Sequence, residues 1–305
     1  MLRFIRTRLL EAVPVLVIIA TLTFVMIRLA PGGPFSDERN VSPGTLAKLE
    51  AHFHLDEPLP LQYLHWWNAV LHGDLGPSMR HGAHSVNEII GRTLPVSLEL
   101  GILGLSFALI IGLTAGIIAA LRPNTATDYA PMSLAMIGIC MPTFVIGPLL
   151  LLLFALRWQI FSVSGWDTAA DRVLPALTLG IPYGAYIARL TRAGMLEILS
   201  QDFIRTARAK GVPELRIIYK HALRGGLLPV IAYLGPATAG LLSGSFVVEQ
   251  IFAIPGLGQH FVNAAFNRDY TMIMGTVLLY AVMIVVFNLI VDIVQAGLNP
   301  RLRLE

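Results

Sequence analysis

The sequence predicts an all-α protein that crosses a membrane six times, and three observations carry that reading. Hydrophobic types make up 55% of the 305 residues and charged ones only 13%, where a soluble chain carries about 25% charged residues; mean hydropathy is +0.68. The apolar residues gather into six runs, roughly 9–29, 95–121, 130–156, 173–190, 227–249 and 271–294. The lysines and arginines between those runs fall unevenly. About 20 residues at 1.5 Å rise cross about 30 Å of hydrocarbon. Backbone polar groups in lipid must be closed within the segment, so each run is expected as a helix.

The first run follows Arg3, Arg6 and Arg8 and is apolar from about Val13 to Ile27. It is longer than a signal-peptide core and ends in Arg28-Leu-Ala-Pro-Gly-Gly without a small-x-small cleavage site, so an uncleaved transmembrane helix is expected. Residues 30–93 are too polar for the bilayer and too few for a large core. Within them Leu61, Leu64, Trp67 and Leu71 recur at helical spacing beside Tyr63 and Trp66. That pattern predicts a helix over Leu59–Leu71 lying at the outer membrane surface. Six of the eight histidines fall in this segment, including His52 and His54. Without a cysteine or a His-Glu-x-x-His spacing beside them, solvated histidines are expected in preference to a metal site.

The second run holds Gly112-x-x-x-Gly116 and the fifth Gly240-x-x-x-Gly244, spacings that let helix backbones approach closely in lipid. Gly240 and Gly244 mark either a wall of a pathway or a helix contact. The single cysteine, Cys140, lies in the third run, where packing is its expected role. Glu249 closes the fifth run and Asp292 the sixth, with Asn288 one turn earlier. Both acids are expected at the membrane boundary in contact with water. No acid sits near a midplane, and no internal repeat or pair of broken helices in matching halves stands out. A self-sufficient ion-coupled carrier therefore lacks its usual marks. A membrane enzyme lacks paired carboxylates, a phosphate-binding loop and a metal motif.

The leader carries three arginines against Glu11, and residues 189–226 carry eight basic residues against three acids. Arg301 and Arg303 follow the last run, whereas 30–93 has four basic residues against seven acids. The positive-inside rule then puts both termini and the 189–226 connector in the cytoplasm, with 30–93 and 250–270 outside.

That connector is punctuated. Gln201–Lys210 contains helix formers, with Asp202 near the start and Lys210 in the last turn, charges that suit the helix dipole. Gly211 is the expected left-handed stop, and Pro213 suits the first position of a second helix with Glu214 in its first turn. Leu215, Ile218 and Ala222 form its apolar side and Arg216, Lys220 and Arg224 its polar side; Gly225-Gly226 is expected to loosen the chain before the fifth run. Ala207, Ala209 and Gly211 keep the elbow slim enough for a groove. It reads as a docking surface or, more plainly, as a solvated positive-inside loop.

The connector resembles the cytoplasmic signature of ABC importer permeases, a Glu-Ala-Ala element followed after three residues by glycine. Aligned on Gly211, Arg205, Thr206 and Ala207 take the three signature positions; arginine replaces the glutamate, and the later Leu-Pro is shifted to Leu228-Pro229. The run Arg205-Thr-Ala-Arg-Ala-Lys-Gly211 with His221-Ala-Leu resembles the oligopeptide/dipeptide importer branch, and its B-type permease subunits above all. So do Arg28-Leu-Ala-Pro-Gly, Leu55-Asp-Glu-Pro-Leu, Gly73-Asp-Leu-Gly-Pro-Ser78, the Val248–Gly258 stretch and Asn267-Arg-Asp-Tyr270.

The resemblance implies a type I ABC importer permease fold in a bacterial inner membrane. Its parts would be a leader and first helix at 1–29, an external segment at 30–93, a five-helix core at 94–293 with a coupling loop at 190–226, and a tail at 294–305. It implies a second homologous permease subunit, two ABC ATPase subunits and an extracytoplasmic peptide-binding protein, with no nucleic acid partner. The chain itself would be non-catalytic and cofactor-free, with ATP and Mg on the ATPases. Arg205, Thr206, Ala207, Arg208, Lys210, Gly211 and Pro213 would form the coupling element. Glu249, Pro255 and Gly256 would sit at an outer gate or binding-protein contact, with Ile254 as a crosslinking position. The cargo expected is oligopeptide, with dipeptides, nickel chelates or other small solutes as alternatives.

Overall fold

The computed structural model describes residues 2–35, 43–80, 84–242 and 246–298. Among them the chain is helical, with one isolated antiparallel bridge between Pro77 and Ser85. In chain order the helices are α1 Leu2–Leu29, α2 Pro43–His52, α3 Leu59–Leu71, α4 Val86–Leu121 and α5 Ala126–Cys140. Then come α6 Thr143–Arg157, π-helical from Leu151, α7 Val173–Leu199, α8 Asp202–Ala209 and α9 Glu214–Gly226. The chain continues with α10 Leu228–Leu242, α11 Phe246–Ile251, α12 Leu257–Asn267 and α13 Tyr270–Leu298.

Four segments are long and apolar enough to cross a membrane as they stand: Arg6–Leu29, Val86–Leu121, Val173–Leu199 and Tyr270–Val294. The other two expected spans involve bends: α5 and α6, which cover the third run, meet at 112°, and α10, which begins the fifth run, is bent 52° from the preceding α9. Proline accounts for the sharper bend. Pro142 has no N–H to continue the ladder and forces Met141 out of the helical region, to φ −86° and ψ 122°. One further boundary moves. The helix expected over 173–190 runs on to Leu199, so Arg189 and Arg192 lie on α7, before the connector. The fifth run is helical over Leu228–Leu242, and Glu249 lies on α11; residues 243–245 fall outside the described residues.

The chain divides into two compact units. The first comprises Ser97–Ile254 with Val286–Glu305 and is organised on α7. The glycines of the α4 motif make its close contact: a methyl group at Gly116 would lie 2.5 Å from the Ala188 carbonyl oxygen, so only glycine lets α4 and α7 approach this far. Asp128, almost fully buried in the first turn of α5, receives a two-pronged contact from Arg192 of α7 at 2.5 and 2.7 Å. It also accepts the Asn124 N–H at 2.9 Å. Cys140 is exposed, which corrects its expected packing role: it closes α5 at the bend.

The second unit comprises Leu2–Val96 with Pro255–Val285. Two small cores hold it. Phe35, Met79 and Tyr270 pack with Leu46, Leu49 and Phe53, and Val86, Ile89 and Ile90 pack with Leu257, Ala264 and Met272. Asp269 ties the unit together. It caps α13 through the Met272 N–H at 3.1 Å and accepts the Ser78 hydroxyl at 2.5 Å and the Met79 N–H at 3.1 Å. The expected helix forms at Leu59–Leu71, with Leu61, Leu64 and Leu71 exposed while Gln62 is buried. An outward-facing leucine row suits a helix resting on lipid.

Candidate functional site

The 200–226 connector is the best-defined polar feature of the first unit. Gln201 turns the chain into α8 in extended conformation, and buried Ile204 anchors that helix. At its end the Gly211 N–H donates to the Arg208 carbonyl at 2.9 Å and the Val212 N–H to the Ala207 carbonyl at 3.2 Å. That pair of bonds is a Schellman stop, and it requires the left-handed residue Gly211 supplies, with φ of 74°. Pro213 is the residue before α9, not its first; the Arg216 N–H donates back to its carbonyl at 2.9 Å.

Across the elbow, Arg208 grips Glu214 with Nη2 at 2.6 Å from Oε1 and Nε at 3.2 Å from Oε2. The Glu214 carboxylate holds the Arg208 guanidinium above its ordinary pKa. Arg205 has only a 3.5 Å contact with exposed Asp202. Arg208 is thus engaged within the elbow, while Arg205 and Lys210 face solvent. Thr206 donates its hydroxyl to the Asp202 carbonyl at 3.0 Å, and Ala207 is half-buried on α8.

The second arm is fixed to the helices above it. Ile218 and Ala222 pack with Ala120 of α4 and Met195 of α7. Leu215, expected on this apolar side, is instead 70% exposed, and Ile217 takes the buried place. The helix is π-wound from Ile217 to Ala222, which brings Ile217 to the side of Ile218 and Ala222 and leaves Leu215 and Tyr219 outward beside the basic side chains. Gly225 and Gly226 do not loosen the chain. They lie in helix, and a methyl group at Gly194 of α7 would fall 2.2 Å from the Gly226 carbonyl oxygen. The glycine pair serves backbone contact.

The remaining candidates stand apart. Gly240 is exposed and faces the Tyr183 hydroxyl, which a methyl group there would meet at 2.8 Å; Gly244 lies outside the described residues. Glu249 is completely buried in the first unit and accepts the Ser97 hydroxyl at 2.8 Å, which corrects its expected contact with water. Its place on α11, packed against α6 and α7, removes it from the surface. In the second unit Gly256 precedes α12 in extended conformation, with Pro255 exposed. Ile254 is fully buried and is a poor crosslinking position; exposed Ala253 replaces it. His54 and His65 stack and share Glu57, and among the described residues no His, Cys, Asp or Glu group is arranged to hold a metal.

Sequence reasoning missed the Asp128–Arg192 pair and the Asp269 hub. The signal for Asp269 was present in Asn267-Arg-Asp-Tyr270, an Asp immediately before an apolar run.

A braced polar elbow on a chain whose long helices expose leucine, isoleucine and valine defines a class: a multi-pass helical membrane protein with a structured connector. The chain belongs to the family of inner-membrane components of binding-protein-dependent transport systems. Residues 112–304 match the family described as "Binding-protein-dependent transport system inner membrane component", and residues 1–99 its N-terminal companion. The chain is 47% identical over 305 residues to the oligopeptide transport system permease protein OppB of Haemophilus influenzae, covering 99% of this chain and 100% of that one. It is 44% identical over 305 residues to the dipeptide transport system permease protein DppB of Bacillus subtilis, covering 100% and 99%. Among solved structures, a chain of the inward-facing MetNI methionine ABC transporter matches with a TM-score of 0.58 at 18% identity, covering 69% of this chain and 96% of that one. That likeness establishes a type I ABC importer permease fold.

Proposed function

We propose that this chain is one half of the translocation pathway of an ATP-driven peptide importer. Peptide arrives on an extracytoplasmic binding protein, a second homologous permease completes the pathway, and two ATPase subunits holding ATP and Mg drive alternating access. The 200–226 elbow is the coupling element, docked in the cytoplasm against an ATPase subunit. The observation that carries this reading is the braced elbow, whose Schellman stop and Arg208–Glu214 grip make it stiff enough to transmit a displacement to α7 and α10. Arg205, where the broader signature has glutamate, is free to meet a carboxylate of the ATPase. Gly240 borders the pathway; Pro255 and Gly256 shape its outer mouth, and Glu249 braces α11 from within.

Reconstitution tests the proposal. Peptide uptake by proteoliposomes should require the second permease, both ATPases, the binding protein and ATP. Uptake by this chain alone, driven by an ion gradient, would overturn it. The dipeptide reading has its own support in the Bacillus subtilis relative, whose identity to this chain is close to that of the oligopeptide permeases. Mass spectrometry of peptides co-purifying with the binding protein separates the two.

A further inference from the structure

The second unit holds a cavity of about 360 Å³ bounded by the end of α1, by α3, by Gly76–Met79 and by the start of α13. Its walls are largely aromatic and apolar, Phe24, Phe53, Trp66 and Tyr270 among them. Three polar atoms on those walls have no hydrogen-bond partner among the described residues: Arg28 Nε, Trp66 Nε1 and Gln62 Oε1. Gln62 is only 6% exposed. Its amide nitrogen is committed to the Leu55 and Glu57 carbonyls at 3.2 and 2.7 Å, which leaves its oxygen as the open acceptor. The Arg28 guanidinium is held over the rings of Phe24 and Tyr270, 5.2 and 4.8 Å from their centroids. The acid on the wall, Asp74, already accepts the Gly76 N–H at 2.9 Å. Buried polar groups are normally paired, so two donors and one acceptor left unpaired on residues lining one cavity point to a ligand. It must carry an anion to accept from Arg28 and Trp66, and a donor for Gln62.

Arg28 also borders a mostly apolar groove of about 290 Å³, lined by Thr21, Phe24, Val25 and Leu29 of α1 with Leu59 and Tyr63 of α3. From Thr21 to Leu29 the groove follows α1 for about 12 Å. Arg28 stands in the last turn of a candidate span and Tyr270 opens another, so both features lie at the depth where bilayer phosphates sit. A soluble anion would need the cavity and leave the groove empty.

We infer that the two together bind one phospholipid. Its phosphate accepts from Arg28 and the Trp66 indole N–H, a headgroup hydroxyl or ammonium donates to Gln62 Oε1, and an acyl chain lies along α1. Phosphatidylglycerol and phosphatidylethanolamine both offer that donor, whereas the quaternary headgroup of phosphatidylcholine offers none.

The test uses the full-length chain, purified with its partner subunits, delipidated in mild detergent and titrated with each lipid. Native mass spectrometry and thermal stability are the readouts. Phosphatidylglycerol or phosphatidylethanolamine should saturate at one molecule per chain above a non-saturating background. Arg28→Met and Trp66→Phe, which keep the stem and the ring, should each bind at least about tenfold more weakly, the effect of one lost charge-assisted hydrogen bond. Phosphatidylcholine should bind about tenfold more weakly to the wild type, with Gln62→Leu erasing that difference. Equal retention by both Arg28→Met and Trp66→Phe would overturn the inference. So would equal binding of phosphatidylcholine, or equal stabilisation by inorganic phosphate or a short soluble peptide. None of these readouts involves transport, so failure here leaves the importer reading intact.

Discussion

Replacing Gly211 probes the elbow through its backbone alone. Its φ of 74° is left-handed, and a methyl group built there meets nothing within 4 Å. The cost of Gly211→Ala is therefore the left-handed penalty, about 1–2 kcal/mol, without a clash to add to it. Unwinding the turn would escape that strain at the loss of the two Schellman bonds, about 0.5–1.5 kcal/mol each, together with the Arg208–Glu214 grip. Strain and relief are of similar size, so the elbow should remain folded but open about 5 to 30 times more often. The assay is peptide imported per ATP hydrolysed, in proteoliposomes carrying the partner subunits. Gly211→Ala should lower that ratio while ATP hydrolysis persists. Gly211→Asn should largely restore it, because asparagine tolerates the left-handed region. Gly211→Leu should behave like alanine in an open site. The reasoning fails if asparagine and alanine are equally impaired, or if leucine alone is damaging, which would point to a side-chain clash with a partner.

Three further outcomes are expected. Arg208→Met and Glu214→Gln should each cost at most about 1 kcal/mol, since both side chains are half exposed; the charge-swapped double variant should recover most of it in a double-mutant cycle read by thermal unfolding. Gly194→Ala places a methyl group 2.2 Å from the Gly226 oxygen and should destabilise by about 1–3 kcal/mol or more, seen as a lower melting temperature and poor recovery of the complex; unchanged stability would refute the contact. In the 158–172 loop the Ser162 hydroxyl, with the Thr168 N–H, holds the Asp171 carboxyl below the usual carboxylate range. A depressed folded value stabilises above the unfolded value of about 3.9 and is lost as pH falls through the lower, folded value. Hydrogen exchange at Thr168 should therefore gain protection as pH rises across that window, after correction for intrinsic rates, and Ser162→Ala should shift the window upward.

The spans were legible because hydrocarbon permits few solutions, and apolar runs of that length read as helices wherever they occur. Their bends were less so. Pro142 announces a break, but the 112° angle comes from what α5 and α6 pack against. The elbow was legible in detail because Asp202, Gly211 and Pro213 act on their immediate neighbours. What escaped were residues whose partners lie far along the chain: Asp128 meets Arg192 across 64 positions and Asp269 meets Ser78 across 191. Glu249 was assigned to water by its place at the end of an apolar run, and only the packing of α11 shows it buried. Gly225-Gly226 failed for the same reason. Local chemistry says flexible, while the neighbouring Gly194 says close contact. Leu215 and Ile217 exchanged roles because α9 is π-wound over Ile217–Ala222, so the 3.6-residue spacing that put Leu215 in line with Ile218 and Ala222 does not hold there.

The uninterrupted length of α7 decides where the elbow's charge is directed. Its apolar part, 173–190, is long enough to cross the hydrocarbon, and the helix then continues for nine residues to Leu199, or about 14 Å. The headgroup layer on one side is only about 5–8 Å thick. The elbow is thus lifted clear of the lipid by about one Debye length, near 8 Å at physiological ionic strength. At that stand-off the attraction of Arg205 and Lys210 for anionic lipid is largely screened. Those cations remain available in solution, as a positively charged handle on a stalk rather than an anchor pressed to the membrane.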